Sequence, residues 1–213
     1  MIQDEKCNVK DKSTLENLTP PEAIELLKEG NRRFLSDDMI NRDHHCHIRE
    51  TVNSQYPFAI IHGCIDSRVN PSIIFDQGIG DLFITRIAGN IINDDIVGSM
   101  EYACSVVGSK LVVVLGHTSC GAVKGACDDF KLGNLTGSLK NIRFVVKKII
   151  TDTGYDRTSA NLEFVNKVAR FNVEKSLDDI KSQSPVLMKL YKEEKINIVG
   201  AMYNHRTGEV EFI

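Results

Sequence analysis

The sequence predicts an α/β fold: a mostly parallel sheet of four strands plus an antiparallel C-terminal edge strand, flanked by helices, with an N-terminal helical arm. Three features predict it. Short apolar runs rich in β-branched residues recur along the chain, as strands covered on both faces do. Amphipathic segments of helical period separate them, which implies parallel neighbours joined by right-handed crossovers. Near the end, Thr207 and Gly208 turn the chain between two strand-like runs, which implies an antiparallel edge.

The elements follow in order. Residues 1–18 are polar and unpatterned and read as a loose arm. Thr19, Pro20, Pro21 and Glu22 form a helix start, with threonine as N-cap and proline in the first turn. Ala23, Ile24, Leu27, Phe34 and Leu35 continue it at near-helical spacing, interrupted by Gly30. The polar stretch 36–54 is expected to carry further short helix and loop. Strands are expected over 58–65, 81–86, 110–116, 196–203 and 209–213. Helices are expected over 95–107, 120–130, 135–150 and 161–181. With no internal repeat and no linker, residues 1–213 read as one domain, 1–54 as arm and helices and 55–213 as the α/β core.

Composition excludes several classes of function. The chain has 213 residues, 42% hydrophobic and 26% charged, as a soluble globular protein does. Its 26 basic and 29 acidic side chains give a net charge of −3, without the basic face that nucleic-acid binding needs. No apolar run approaches the roughly 18 residues of a membrane span. Six cysteines are far too few for a disulfide scaffold. The N-terminus lacks the layout of an export signal. The expectation is therefore a cytoplasmic, reducing compartment in which thiols stay free.

In open α/β sheets, function gathers at the carboxyl ends of strands. The first strand runs into Cys64, Ile65, Asp66, Ser67 and Arg68, and the third into Gly116, His117, Thr118, Ser119, Cys120 and Gly121. Two thiolates and an imidazole make a Cys₂His set, and three protein ligands with an open fourth position is the pattern of catalytic zinc. Taken singly, Cys64, His117 and Cys120 read as packing or loop residues; together at neighbouring strand ends they read as ligands. Arg68 two residues from Asp66 would lower the carboxyl pKa and fix its orientation. Asp66 would then accept a hydrogen bond from a water at the metal, or serve as a fourth ligand itself.

Cys64-x-Asp66-x-Arg68 followed by Gly116-His117-x-x-Cys120-Gly121 resembles the β-class carbonic anhydrases. The resemblance extends through Phe75 and Asp76, Gly80 to Phe83, Ala88 to Asn90, Gly98 to Tyr102 and Gly121 to Val123, and covers about residues 20–213. It implies one Zn²⁺ per chain on Cys64, His117 and Cys120, beside an Asp66–Arg68 dyad. Members similar to the plant enzymes add a glutamine, a phenylalanine and a tyrosine at spacings that match Gln55, Phe83 and Tyr102. The resemblance implies that Phe83 and Tyr102 wall an apolar CO₂ pocket, while Gln55 and the Gly121 amide hydrogen-bond bicarbonate. It also implies a homo-oligomer built from dimers, with the pocket at the dimer interface, and the reversible hydration of CO₂ as the reaction.

This sequence departs from the family pattern in two places. Ile65 replaces a serine, and strand alternation points it away from the metal. Ile61 stands where the allosteric subset carries tryptophan, and the chain has no tryptophan, which speaks against that subset's regulatory bicarbonate site. His44, His45, Cys46 and His47 offer donors for a second metal but read better as a solvated or interface loop. Cys104 and Cys127 read as packing, Cys7 as a disordered free thiol, His62 as a satisfied strand histidine and His205 as a turn residue.

Two other functions compete: hydrolysis of a related heteroallene (CS₂ or COS) on the same zinc, and a non-catalytic zinc-stabilised binding module. A cysteine phosphatase is excluded, because its loop needs five residues between cysteine and arginine where Cys64 and Arg68 leave three.

Overall fold

A computed structural model describes residues 5–149 and 152–213. Its sheet contains β1 (Ala59–Gly63), β2 (Leu82–Arg86), β3 (Leu111–His117), β4 (Asn197–Tyr203) and β5 (Val210–Phe212). The strands lie in the order β2-β1-β3-β4-β5, all parallel except the last pair. This is the predicted mixed sheet.

β1 and β3 are buried along their whole length, which is why both read as continuous apolar runs. Alternation divides their side chains between two cores. Ile60, Val112 and Val114 face one layer, with Met100, Leu139, Ile142, Phe164 and Val168. Ile61, Val113 and Leu115 face the other, with Leu27, Phe58, Ile74 and Phe75. The first layer is built by α5 (Asp94–Glu101), α6 (Gly121–Cys127), α7 (Leu135–Lys148), α8 (Leu162–Gln183) and α9 (Pro185–Lys192). The second comes from α1 (Lys12–Asn17), α2 (Pro20–Leu35) and α4 (Pro71–Ile74); α3 (His44–Thr51) lies between α2 and β1 in sequence.

The start of α2 is the expected one. The Glu22 carboxylate accepts hydrogen bonds from the Thr19 amide and hydroxyl at 2.8 and 2.6 Å, closing the helix end. Gly30 does not interrupt α2, which runs through it. A Cβ there would lie 1.7 Å from the Phe75 carbonyl oxygen, so glycine is what lets the turn after α4 press on the helix. In that turn Asp76, fully buried, pairs with Arg33 of α2 at 2.6 Å and with Arg42.

Several expectations are corrected. The described part of the arm is not loose: Asp11 caps α1, Leu15 is buried, and Lys10 pairs with Asp81 at 2.7 Å. Cys7 is not a free thiol but forms a disulfide with Cys46, the Cα atoms 5.7 Å apart. The tract from His44 is helical, capped by Asp43. The helix expected over 95–107 changes character at Tyr102, where Tyr102–Val107 widens into a π-helical segment closed by Gly108 at φ 95°. α7 ends at Lys148, and the last residue of its expected span lies outside the described residues. α4 and α9 were not expected, although Asn70-Pro71 and Ser184-Pro185 are both cap-then-proline starts.

Candidate metal centre

Three side chains converge where β1 and β3 end. The strands are paired in register, Gly63 opposite Leu115, so the residues that follow them leave the sheet side by side. Cys64 follows β1 and His117 ends β3. Ser119, at φ 55°, then reverses the chain so that Cys120 stands at the start of α6. The Cys64 and Cys120 sulfurs are 4.0 Å apart, and both residues are buried with His117. The Gly89 amide donates to the Cys64 sulfur at 3.3 Å. Gly89 holds φ 73°, and a Cβ on it would lie 2.4 Å from Ile142.

His117 Nδ1 lies 2.9 Å from the Thr118 carbonyl, which can only accept, so Nδ1 carries the proton. Its Nε2 is left as a lone pair, buried and without a hydrogen-bond partner. The Cys64 thiol is pulled down to about 4 by the hydrogen bond from Cys120, helped by His117 and opposed by burial. Cys120 is pushed up, because its neighbour takes the charge and burial disfavours a second one. A cation between the sulfurs removes that conflict. Two soft sulfur donors and one orphaned imidazole nitrogen within 4.8 Å of one another therefore fit zinc.

Asp66 stands beside this group. Arg68 grips its carboxylate with two side-chain hydrogen bonds, Nε to Oδ1 at 2.9 Å and a terminal nitrogen to Oδ2 at 2.8 Å, and adds its own amide at 3.0 Å. This grip holds the Asp66 carboxyl well below the usual carboxylate range, against the opposing effect of burial. Asp66 Oδ2 lies 4.0 Å from His117 Nε2. The segment is pinned from β2 by Arg86, which donates to the carbonyls of Cys64 and Asp66 at 2.8 and 2.5 Å.

A cavity of about 470 Å³ opens on the centre, lined by Cys64, Asp66 and Gly121 among others. Phe83 and Tyr102 are brought together, ring centroids 6.1 Å apart, but they line a separate cavity with Ile60 and Thr85. Gln55 lines a third, with Thr51 and Gly80. Within one chain, then, the structure unites Cys64, His117, Cys120, Asp66, Arg68 and Gly121, and leaves Gln55, Phe83 and Tyr102 apart from them. Ile65 is exposed.

The minor candidates also find places. Both His62 nitrogens are engaged, with Thr85 and the Ile91 carbonyl. Burial pushes the Cys104 and Cys127 thiols up to about 12 and about 11, as suits packing residues. Cys46 is spent in its disulfide. Among the described residues, neither group of three possible metal donors includes the tract around it.

Sequence reasoning missed His205. It sits in the turn after β4, yet its ring packs edge-on against His117 at 4.7 Å. Its Nε2 lies 3.7 Å from Asp66 Oδ1. No local signal reveals this, because the contact joins residues 139 positions and 88 positions apart in sequence.

Comparison with known proteins gives a consistent picture. A family model described as carbonic anhydrase matches residues 59–210. The chain is similar to carbonic anhydrase 2 of Mycobacterium tuberculosis, 36% identical over 90% of this chain and 92% of that protein. It is also similar to a carbonic anhydrase of Mycolicibacterium smegmatis, 33% identical over 92% and 94%. Among solved structures, it resembles the β-carbonic anhydrase CafA of Aspergillus fumigatus, with TM-score 0.69, 25% identity and coverage of 91% and 89%. A Coccomyxa β-carbonic anhydrase in complex with acetazolamide matches with TM-score 0.70, 25% identity and coverage of 86% and 82%.

Proposed function

The chain belongs to the β-class carbonic anhydrase family, and from that premise we propose that it catalyses the zinc-dependent, reversible hydration of CO₂ to bicarbonate and a proton. The observation that carries this reading is the convergence of Cys64, His117 and Cys120 beside an arginine-clamped aspartate at the mouth of a cavity. Zinc bound there, one per chain, supplies a Lewis acid that lowers the pKa of a water molecule toward ~7.

The chain's own residues do the rest. Cys64 and Cys120 supply negative charge and His117 a neutral nitrogen whose tautomer is set by Thr118. Asp66, ionised and immobilised, accepts a hydrogen bond from the attacking water and orients its lone pair toward CO₂. Arg68 would keep that carboxylate turned to the water and off a metal held by the two thiolates. The Gly121 amide, at the start of α6, receives an oxygen of bicarbonate.

We further read Gln55, Phe83 and Tyr102 as contributions across an interface between two copies, as in the plant-like members of the family. Two features support this. The three residues sit outside the cavity of their own chain's centre. The β2 edge and the π-helical segment beside it also present apolar surface, with Tyr102 53% and Val106 70% exposed. The binding-module reading requires Asp66 as a permanent fourth ligand, and the clamp of Arg68 works against that.

Metal content and stopped-flow CO₂ hydration measured on one preparation test the proposal. One zinc per chain with hydration that disappears on chelation is expected. A fully loaded protein that hydrates CO₂ no faster than buffer would overturn it.

A further inference from the structure

Beside the thiolates lies a second set of donors that shares His117 with the first and adds Asp66 and His205, which the reading above does not use as ligands. His205 Nδ1 lies 2.7 Å from the carbonyl of Thr118, the same oxygen that receives His117 Nδ1. Both imidazoles therefore carry their protons on Nδ1 and present Nε2 as a lone pair. Both Nε2 atoms are buried and without a hydrogen-bond partner. Both face Asp66, His117 Nε2 at 4.0 Å from Oδ2 and His205 Nε2 at 3.7 Å from Oδ1. Arg68 meets the charge of the carboxylate, but the two buried lone pairs beside it have neither a donor nor a cation to meet them.

We propose that Asp66, His117 and His205 form a second, thiolate-free site for a divalent transition metal. The three donors lie within 4.8 Å of one another. Two imidazoles and one carboxylate with open positions is a recurrent arrangement for first-row metals, harder in character than a thiolate set. His205 is held for this role more firmly than a turn residue requires. Its amide donates to the Thr118 hydroxyl at 3.0 Å, and its ring packs against Tyr203 as well as His117.

One nitrogen of His117 serves both sites, so they are filled alternately and never together. The residues that set the second site apart are slightly the more exposed, the Asp66 and His205 side chains at 14% and 12% against 4% and 1% for Cys64 and Cys120. The site offers a metal a place to bind when the thiols are blocked. The inference rests on His117 as a metal ligand and is independent of CO₂ chemistry.

Cobalt(II) is the probe, because a thiolate ligand adds a charge-transfer band that nitrogen and oxygen ligands do not. Metal-free full-length chain is titrated with Co²⁺ as wild type, C64S/C120S, C64S/C120S/H205F and H205F, with folding followed by circular dichroism. Phenylalanine at 205 keeps a ring against His117 and removes both nitrogens. Expected are one Co²⁺ with the thiolate band in wild type and H205F, one weaker-bound Co²⁺ without it in C64S/C120S, and loss of binding in the triple variant. A folded C64S/C120S that binds no cobalt, or a triple variant that binds as the double does, would overturn the proposal. So would loss of the thiolate-site cobalt in H205F, since His205 would then serve only to support His117.

Discussion

Replacing Arg68 by alanine tests the link between geometry and rate most directly. The substitution removes the two side-chain hydrogen bonds at 2.9 and 2.8 Å and leaves the backbone contact at 3.0 Å. A hydrogen bond to a charged group contributes about 1.5–3 kcal/mol in favourable settings. The Arg68 side chain is 59% exposed, so solvent screens the pair and only part of that contribution is lost. A loss of about 10-fold in kcat/KM is expected. The pH dependence has a definite sign. Without the guanidinium the Asp66 carboxyl rises back toward 3.8, still far below pH 6, so it stays ionised through the assay range. The loss should be uniform from pH 6 to 9 at unchanged zinc content, and Arg68→Lys should recover only part of it, because an ammonium lacks the two-point fork. Stopped-flow hydration across that range is the assay. Wild-type rates in Arg68→Ala, or a loss confined to one end of the range, would refute the reasoning.

Three further outcomes are expected. Cys120→Ser replaces a thiolate by a poor ligand and should surrender zinc to a chelator that leaves wild type loaded, with hydration lost in parallel; atomic absorption measures it. Asp76→Asn should cost about 3 kcal/mol at pH 7, because it leaves Arg33 and Arg42 around a fully buried side chain with no charge to meet them. Burial raises the Asp76 carboxyl, but the two arginines reverse this and hold it below 3.8. Its stabilisation is thus complete above about pH 3.8 and lost as pH falls through the lower folded value, so urea midpoints of Asp76→Asn should lack that part of the wild-type acid slope; parallel slopes would count against it. Sedimentation should show at least a dimer at micromolar concentration, and Tyr102→Glu should weaken it, whereas an active wild-type monomer would remove the interface reading.

What the sequence disclosed and what it hid divide along physical lines. Buried parallel strands must be apolar throughout, so β1 and β3 were plain to read. The ligand positions were legible because strand ends place nearby residues predictably. The arm was not, since Leu15 is a lone apolar residue whose burial depends on partners far along the chain. The Cys7–Cys46 pairing has no local signature at all. His205 shows the same limit at the centre itself: only the finished sheet brings the turn after β4 against Thr118. Ser184-Pro185 is different, because a cap followed by proline is a local signal that the sequence itself carries for the start of α9.

The Cys7–Cys46 bond has a topological consequence. It ties two points 39 positions apart and so closes a covalent ring that contains α1 and α2. By loop-closure entropy a ring of that size disfavours the unfolded chain by about 4 kcal/mol. A protease that nicks the backbone anywhere inside the ring leaves a single molecule, still joined through sulfur. The two pieces part only after a thiol reductant opens the ring, and until then the severed arm remains anchored to the helix that leads toward Gln55.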